Sequence, residues 1–165
     1  MKKLNFGCGK DIRKGWVNVD IQKGKGIDKS FDFRKFPYPF KSNTFDYVLI
    51  DNVLEHLPNP QRVMKEIWRI CKNGAIVKIV VPYYNSYYAY GDPTHVNFYN
   101  EYTIKQVIGE SDYNVKKTIK KFEIIKIRLI PQRYLRFLDQ KFLHILGRIF
   151  GNVVIQIEVE IRVLK

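Results

Sequence analysis

Two short stretches decide the fold: Leu4-Asn5-Phe6-Gly7-Cys8-Gly9 and Trp16-Val17-Asn18-Val19-Asp20-Ile21. Each is rich in strand-forming residues and ends in punctuation, glycines in the first and an acid in the second. A strand that runs into Gly-x-Gly lets the backbone approach a ligand closely and turns N–H groups towards an anionic group. A carboxylate at the end of the next strand can accept two hydrogen bonds from a ribose diol. The full dinucleotide fingerprint would add a third glycine and an acid about 20 residues on. Lys10-Asp11-Ile12 stands where that glycine would fall, and Asp20 comes too early.

A third extended piece near Ile27 leads to Phe31-Asp32-Phe33, where an acid beside an aromatic ring can hold an adenine. Two prolines then keep Phe36-Pro37-Tyr38-Pro39-Phe40 out of regular structure. Phe45-Asp46-Tyr47-Val48-Leu49-Ile50 is a fourth strand, ending at Asp51-Asn52. Asn59 and Pro60 form a helix start, and Val63, Met64, Ile67, Ile70 and Cys71 share one helical stripe. Lys72-Asn73-Gly74 predicts the stop, and the apolar run Ala75 to Val81 reads as a strand buried on both faces. Residues 82–100 form a long loop with five tyrosines, Tyr83, Tyr84, Tyr87, Tyr88 and Tyr90. A short helix after Asn100, a strand over Phe122 to Ile130, a helix over Tyr134 to Phe150 and a strand over Val153 to Leu164 complete the chain. The stripe Leu135, Leu138, Phe142, Leu146 and Ile149 is expected to face the core rather than an interface. Strands alternating with helices define an α/β fold with a mostly parallel, Rossmann-like sheet.

The 165 residues read as one domain, 1–165, with no internal boundary. Two cysteines, Cys8 and Cys71, build no disulfide framework and fit a reducing compartment. With no signal peptide and no apolar run long enough for a bilayer span, the expectation is a cytoplasmic protein. The net charge of +13 attracts polyanions, so a nucleic-acid partner stays open beside a merely solvating surface. From Val115 onward twelve Lys/Arg stand against four Asp/Glu.

The ordered series of Asn5-Phe6-Gly7-Cys8-Gly9, Asn18-Val19-Asp20, Asp32-Phe33, Phe45-Asp46-Tyr47-Val48 and Val53-Leu54-Glu55-His56-Leu57 resembles the class I S-adenosylmethionine-dependent methyltransferases. The likeness is to the short methyltransferase-domain type with a Leu-Glu-His signature and covers roughly residues 3–100. It implies a sheet of order β3-β2-β1-β4-β5-β7-β6 with β7 antiparallel. It also implies S-adenosylmethionine as cofactor. Gly7, Cys8 and Gly9 would flank its methionine part, Asp20 its ribose, and Ile21, Asp32 and Phe33 its adenine, with Asp51 and Asn52 near the sulfonium.

The chain departs from the family pattern in two ways. Asn5 replaces an acid and Asp11 a glycine. Only residues 8–15 separate the first two strands, whereas a parallel crossover normally takes about a dozen residues and a helix. Helices are therefore expected to be reduced between strands 1 and 2 and between strands 2 and 3. Without helices ahead of the first strand, the sheet face near strands 1–3 should be poorly covered, which raises a homodimer as a hypothesis.

His95, in Asp92-Pro93-Thr94-His95, is the first candidate for a general base and His56 the second, each with a structural alternative. No set of His, Cys and carboxylates has metal-ligand spacing, so no metal site is expected. Three readings follow: a methyltransferase on a small-molecule or glycan-precursor acceptor, one on RNA or protein, or a non-catalytic module that binds nucleic acid or a protein partner.

Overall fold

The computed structural model describes residues 1–109 and 121–165. Part of the basic C-terminal run noted above, residues 115–120, lies outside them. Seven strands form one sheet: β1 (Lys3–Phe6), β2 (Val17–Asp20), β3 (Lys29–Ser30), β4 (Phe45–Asp51), β5 (Cys71–Pro82), β6 (Phe122–Pro131) and β7 (Val154–Val163). Their order is β3-β2-β1-β4-β5-β7-β6. The first five run parallel, and β7 is antiparallel to both its neighbours. This is the Rossmann-like class I arrangement that the motif series implied. The described helices are α1 (Pro60–Ile70), α2 (Tyr87–Tyr90), α3 (Glu101–Ile108) and α4 (Gln140–Ile149). None is long and apolar enough to cross a membrane.

Pairing in the sheet sorts the side chains onto two faces. Leu4, Phe6, Val19, Val48, Ile50, Val77, Ile79, Ile157 and Val159 point to one face. They share a core with Val63, Met64, Ile67 and Ile70 of α1, Ile104, Val107 and Ile108 of α3, and Leu143 of α4. The residues between them, among them Lys3, Tyr47, Leu49, Asp51, Lys78, Val80 and Glu158, line an open groove of about 670 Å³ on the other face. Among the described residues, no helix contributes to that groove. The described helices thus cover one side of the sheet, and the open region runs over β1, β4, β5 and β7 rather than β2 and β3.

The short connection from β1 to β2 is closed by polar groups in place of a helix. Asn5 and Asn18 are register partners, and both are buried. The Asn5 side-chain amide donates to the Asp11 carbonyl (2.6 Å) and to Asn18 Oδ1 (3.2 Å). Asn18 Oδ1 also accepts from the Arg13 N–H (2.9 Å), while Asn18 Nδ2 donates to the Arg13 carbonyl (3.0 Å). These bonds satisfy main-chain groups that a crossover helix would have satisfied internally. They also account for an amide at position 5 where the family usually carries an acid: an acid there could not donate.

Two expectations need correction. The helix over Tyr134 to Phe150 is a 3-10 turn (Arg133–Leu135) followed by α4, which Asp139 caps by accepting from the Lys141 and Phe142 N–H groups. Its buried side is Leu143 and Gly147, while Phe142, Ile145 and Ile149 are exposed. A Cβ on Gly147 would lie 2.7 Å from Val154 Cγ2, so the missing side chain lets α4 settle close against β7 and fixes which side turns inward. The stop at Lys72-Asn73-Gly74 also shifts. α1 ends at Ile70, and β5 already begins at Cys71, with an irregular register between Phe45 and Tyr47 of β4.

Asn18→Ala should destabilise the protein by about 1–3 kcal/mol in urea unfolding, because it strands the buried Arg13 and Asn5 donors. An effect no larger than that of an exposed-surface control would remove the asparagine pair from this role.

Candidate active site

The carboxyl ends of β1, β2 and β4 meet at one cavity of about 420 Å³, within the range of small-molecule sites, roughly 300–1,000 Å³. Its walls include Gly7, Gly9, Asp20, Ile21, Asp32 and His56. Gly7 has a φ of +73°, and a Cβ there would fall 2.3 Å from Val53 Cγ2. Only glycine lets the backbone run this close to the turn after β4. The Gly7 and Cys8 N–H groups both donate to the Val19 carbonyl at 2.9 Å.

Asp20 is fixed by the main chain on both sides. Its Oδ2 accepts from the Gly9 N–H (2.8 Å) and its Oδ1 from the Gln22 N–H (3.0 Å). Each oxygen keeps a lone pair for a further donor. Ile21 is half exposed beside it and offers an apolar wall. Asp32 sits across the cavity in a two-pronged pair with Arg34, whose Nε and Nη2 donate at 2.9 and 3.0 Å. The hydrogen bonds from Arg34 hold this exposed carboxyl down at about 2. Arg34 lines the cavity as well, an occupant that the sequence motifs did not signal.

Two of the candidate residues, Cys8 and Asp51, stand elsewhere, and a third turns its ring away. Phe33 borders the cavity, but its ring is buried and stacks on Phe6 at 4.0 Å within the aromatic cluster of Phe31, Phe36 and Tyr38. Cys8 is buried and does not line the cavity, and burial pushes its thiol up. Asp51 lines the groove on the open face. Asn52, in the left-handed region at φ 51°, reaches both spaces.

Beside the cavity, the Leu-Glu-His turn meets the long loop. The Val96 and Asn97 N–H groups donate to the Glu55 carbonyl (2.8 and 3.1 Å), and the Tyr99 hydroxyl donates to the Leu54 carbonyl (3.1 Å). These bonds bring the His95 ring to 4.6 Å from the His56 ring. His56 lines the cavity and His95 does not. Burial, then His95, pulls the His56 pKa down, so His56 favours its neutral form. Glu55 is 1% exposed, and burial raises its carboxyl to about 7. One ligand atom each from Glu55, His56 and His95 lies within 4.8 Å of the others. The sequence separation of His95 from the pair hid this grouping, since no metal-ligand spacing along the chain signals it. Of the five tyrosines in the loop, Tyr83 is buried, and Tyr87, Tyr88 and Tyr90 are exposed.

This sheet order is that of the class I methyltransferase fold, with glycines and acids on one rim. Residues 4–79 match the family model described as Methyltransferase domain. Among solved structures, a SAM-dependent methyltransferase from Archaeoglobus fulgidus superposes with a TM-score of 0.69 over 98% of this chain and 85% of that one, at 18% identity, which establishes the fold. The chain is 34% identical over 82 residues to an uncharacterized protein of Methanocaldococcus jannaschii, spanning 48% of this chain and 37% of that one. It is 30% identical over 94 residues to demethylmenaquinone methyltransferase of Anoxybacillus flavithermus, spanning 53% and 36%. The chain spans little more than a third of the length of these curated relatives. The fold is that of the class I S-adenosylmethionine-dependent methyltransferases, and the family match covers a little under half of the chain.

The raised Glu55 pKa carries a sign. The folded protein keeps a proton that the unfolded chain releases, so the stabilising contribution is full below the ordinary carboxylate value and is lost as pH rises through about 7. Glu55→Gln should remove a loss of about 3 kcal/mol between pH 4 and 8, read from denaturant midpoints in ion-free buffer. Parallel pH profiles for the two proteins would contradict it.

Proposed function

We propose that this chain binds S-adenosylmethionine in the cavity walled by Gly7, Asp20, Asp32 and His56, and that it transfers the methyl group to a small-molecule or glycan-precursor acceptor. The convergence of two glycines, two acids and a neutral histidine on that one space supports the reading. The fit is physical. Gly7 leaves room that any side chain would fill. Asp20 has lone pairs free for a ribose diol, Ile21 gives a flat base an apolar wall, and Asp32 offers an acceptor at the edge. The paired Arg34 is the group that would have to share Asp32 with the adenine amino group.

When bound, the cofactor supplies an activated methyl group on a sulfonium. The protein's part is to position the acceptor and exclude water. Asn52 and His56 lie at the end of the cavity beside the Val53 turn. Neutral His56 can accept a hydrogen bond or a proton from an acceptor hydroxyl or amine. The charge of +13 favours a second reading, in which the acceptor belongs to RNA. The two free cysteines, both buried, fit a reducing, cytoplasmic setting.

Melting with and without S-adenosylmethionine tests the cofactor. Ligand at about 100 times its Kd should stabilise the native state by about 2.7 kcal/mol, and Asp20→Ala should lose that shift. An unshifted wild type, or an Asp20→Ala shift equal to it, would sink the cavity assignment. His56→Ala should slow transfer of labelled methyl groups into extract by about 100-fold or more. Unchanged label incorporation would take His56 out of the acceptor side.

A further inference from the structure

Glu55 poses a problem that methyl transfer does not answer. Its side chain is 1% exposed, and neither carboxylate oxygen has a hydrogen-bond partner among the described residues. A buried, unpartnered carboxyl costs free energy and calls for an explanation.

The two nearest imidazoles supply one. The Thr94 hydroxyl donates its single hydrogen to Asp92 Oδ1 at 2.6 Å. Towards His56 Nδ1, 2.9 Å away, that hydroxyl can therefore only accept, so His56 Nδ1 carries the proton. His95 Nδ1 stands 2.9 Å from the Ala89 carbonyl, which also only accepts. In its neutral form each ring thus holds its hydrogen on Nδ1 and keeps the lone pair on Nε2. A ring tied down through one nitrogen, with the other left as donor, is the usual setting of a metal-bound histidine.

We propose that Glu55, His56 and His95 form a binding site for a divalent first-row transition-metal ion. Two imidazole nitrogens and one carboxylate suit zinc, iron(II), cobalt or manganese better than magnesium or calcium. Three protein donors also leave coordination positions for an exchangeable oxygen ligand. With bonds of about 2.0–2.2 Å to the ion, donor atoms stand roughly 3–4 Å apart. The span of 4.8 Å closes to that range by a movement on the order of 1 Å. The cavity beside His56 is the path of entry. The main-chain bonds from Val96 and Asn97 to the Glu55 carbonyl hold the turn and the loop together without an ion, so the site is assembled in advance. With an ion in place, the Nε2 lone pairs would be engaged in holding it, and His56 could no longer take a proton from an acceptor.

The site does not depend on the cofactor reading, and its test leaves S-adenosylmethionine out. The 165-residue protein, stripped with a chelator, is titrated with Co²⁺ and then with Zn²⁺. The expected result is saturable binding of one ion per chain, with visible cobalt absorption that zinc abolishes. Glu55→Gln and His95→Ala should lose both signals. Circular dichroism and the ion-free melting temperature check that each variant is folded. Thr94→Val keeps all three donors and removes the acceptor for His56 together with the hydroxyl bond to Asp92, so it should weaken binding by about 10–100-fold. Absence of saturable binding by the wild type would overturn the proposal, as would equal binding by the Glu55→Gln and His95→Ala proteins. Should a variant fail to fold, Thr94→Val decides: undiminished affinity there counts against the site.

Discussion

The buried hydrogen bonds between Asn5, Asn18 and the loop that joins their strands are the constraint on which this structure rests. A parallel crossover must return the chain to the same end of the sheet, and a helix normally satisfies its backbone on the way. Here two amides do so within residues 7–16. The consequence reaches the cavity, because the same loop places Gly9 where its N–H holds Asp20. One network therefore shapes both the crossover and the ligand-facing carboxylate.

The economy of that loop also shapes the rest of the sheet. With no helix between β1 and β2, one face stays open, and its strands carry Lys78, Glu158, Glu160 and Arg162 in place of a second apolar layer. The ion pair of Lys78 with Glu158 at 2.7 Å is typical of this face. Apolar exposure gathers instead on α4, where Phe142, Ile145 and Ile149 stand out beside Lys141 and Arg148. A homodimer expected from an uncovered apolar sheet thus meets a charged groove over β1, β4, β5 and β7 and an apolar surface elsewhere.

The electrostatics of the site divide along the same lines. Exposed Asp32 is kept ionised by Arg34, whereas buried Glu55 has no cation beside it and holds its proton to about 7. His56, pressed by burial and a second imidazole, leans towards the neutral form. An acid that resists ionisation beside a histidine that resists protonation is a pair in which each partner lacks its usual compensation. The basis for a third participant there is geometric: the buried Glu55 carboxylate has no hydrogen-bond partner among the described residues, and ligand atoms of His56 and His95 lie within 4.8 Å of it.

Much of this was legible in the sequence. Local chemistry sets where strands stop and helices start: Gly7 and Gly9 after β1, Asp20 after β2, Asn59 with Pro60 at α1, Asn100 at α3. Those signals act over a few residues, so they can be read in one dimension, and their order matched a known family. Other features were settled only when distant segments packed. The inward side of α4 depended on Gly147 meeting Val154, and the Phe33 ring turned to Phe6 because the core had space for it. The pairing of Asp32 with Arg34 and the meeting of Glu55 and His56 with His95 belong to the same group. Periodicity and spacing describe neighbours along the chain. Which of two apolar sides turns inward, and which histidine reaches a cavity, depends on the shape of the partner surface, which exists only once the sheet has formed.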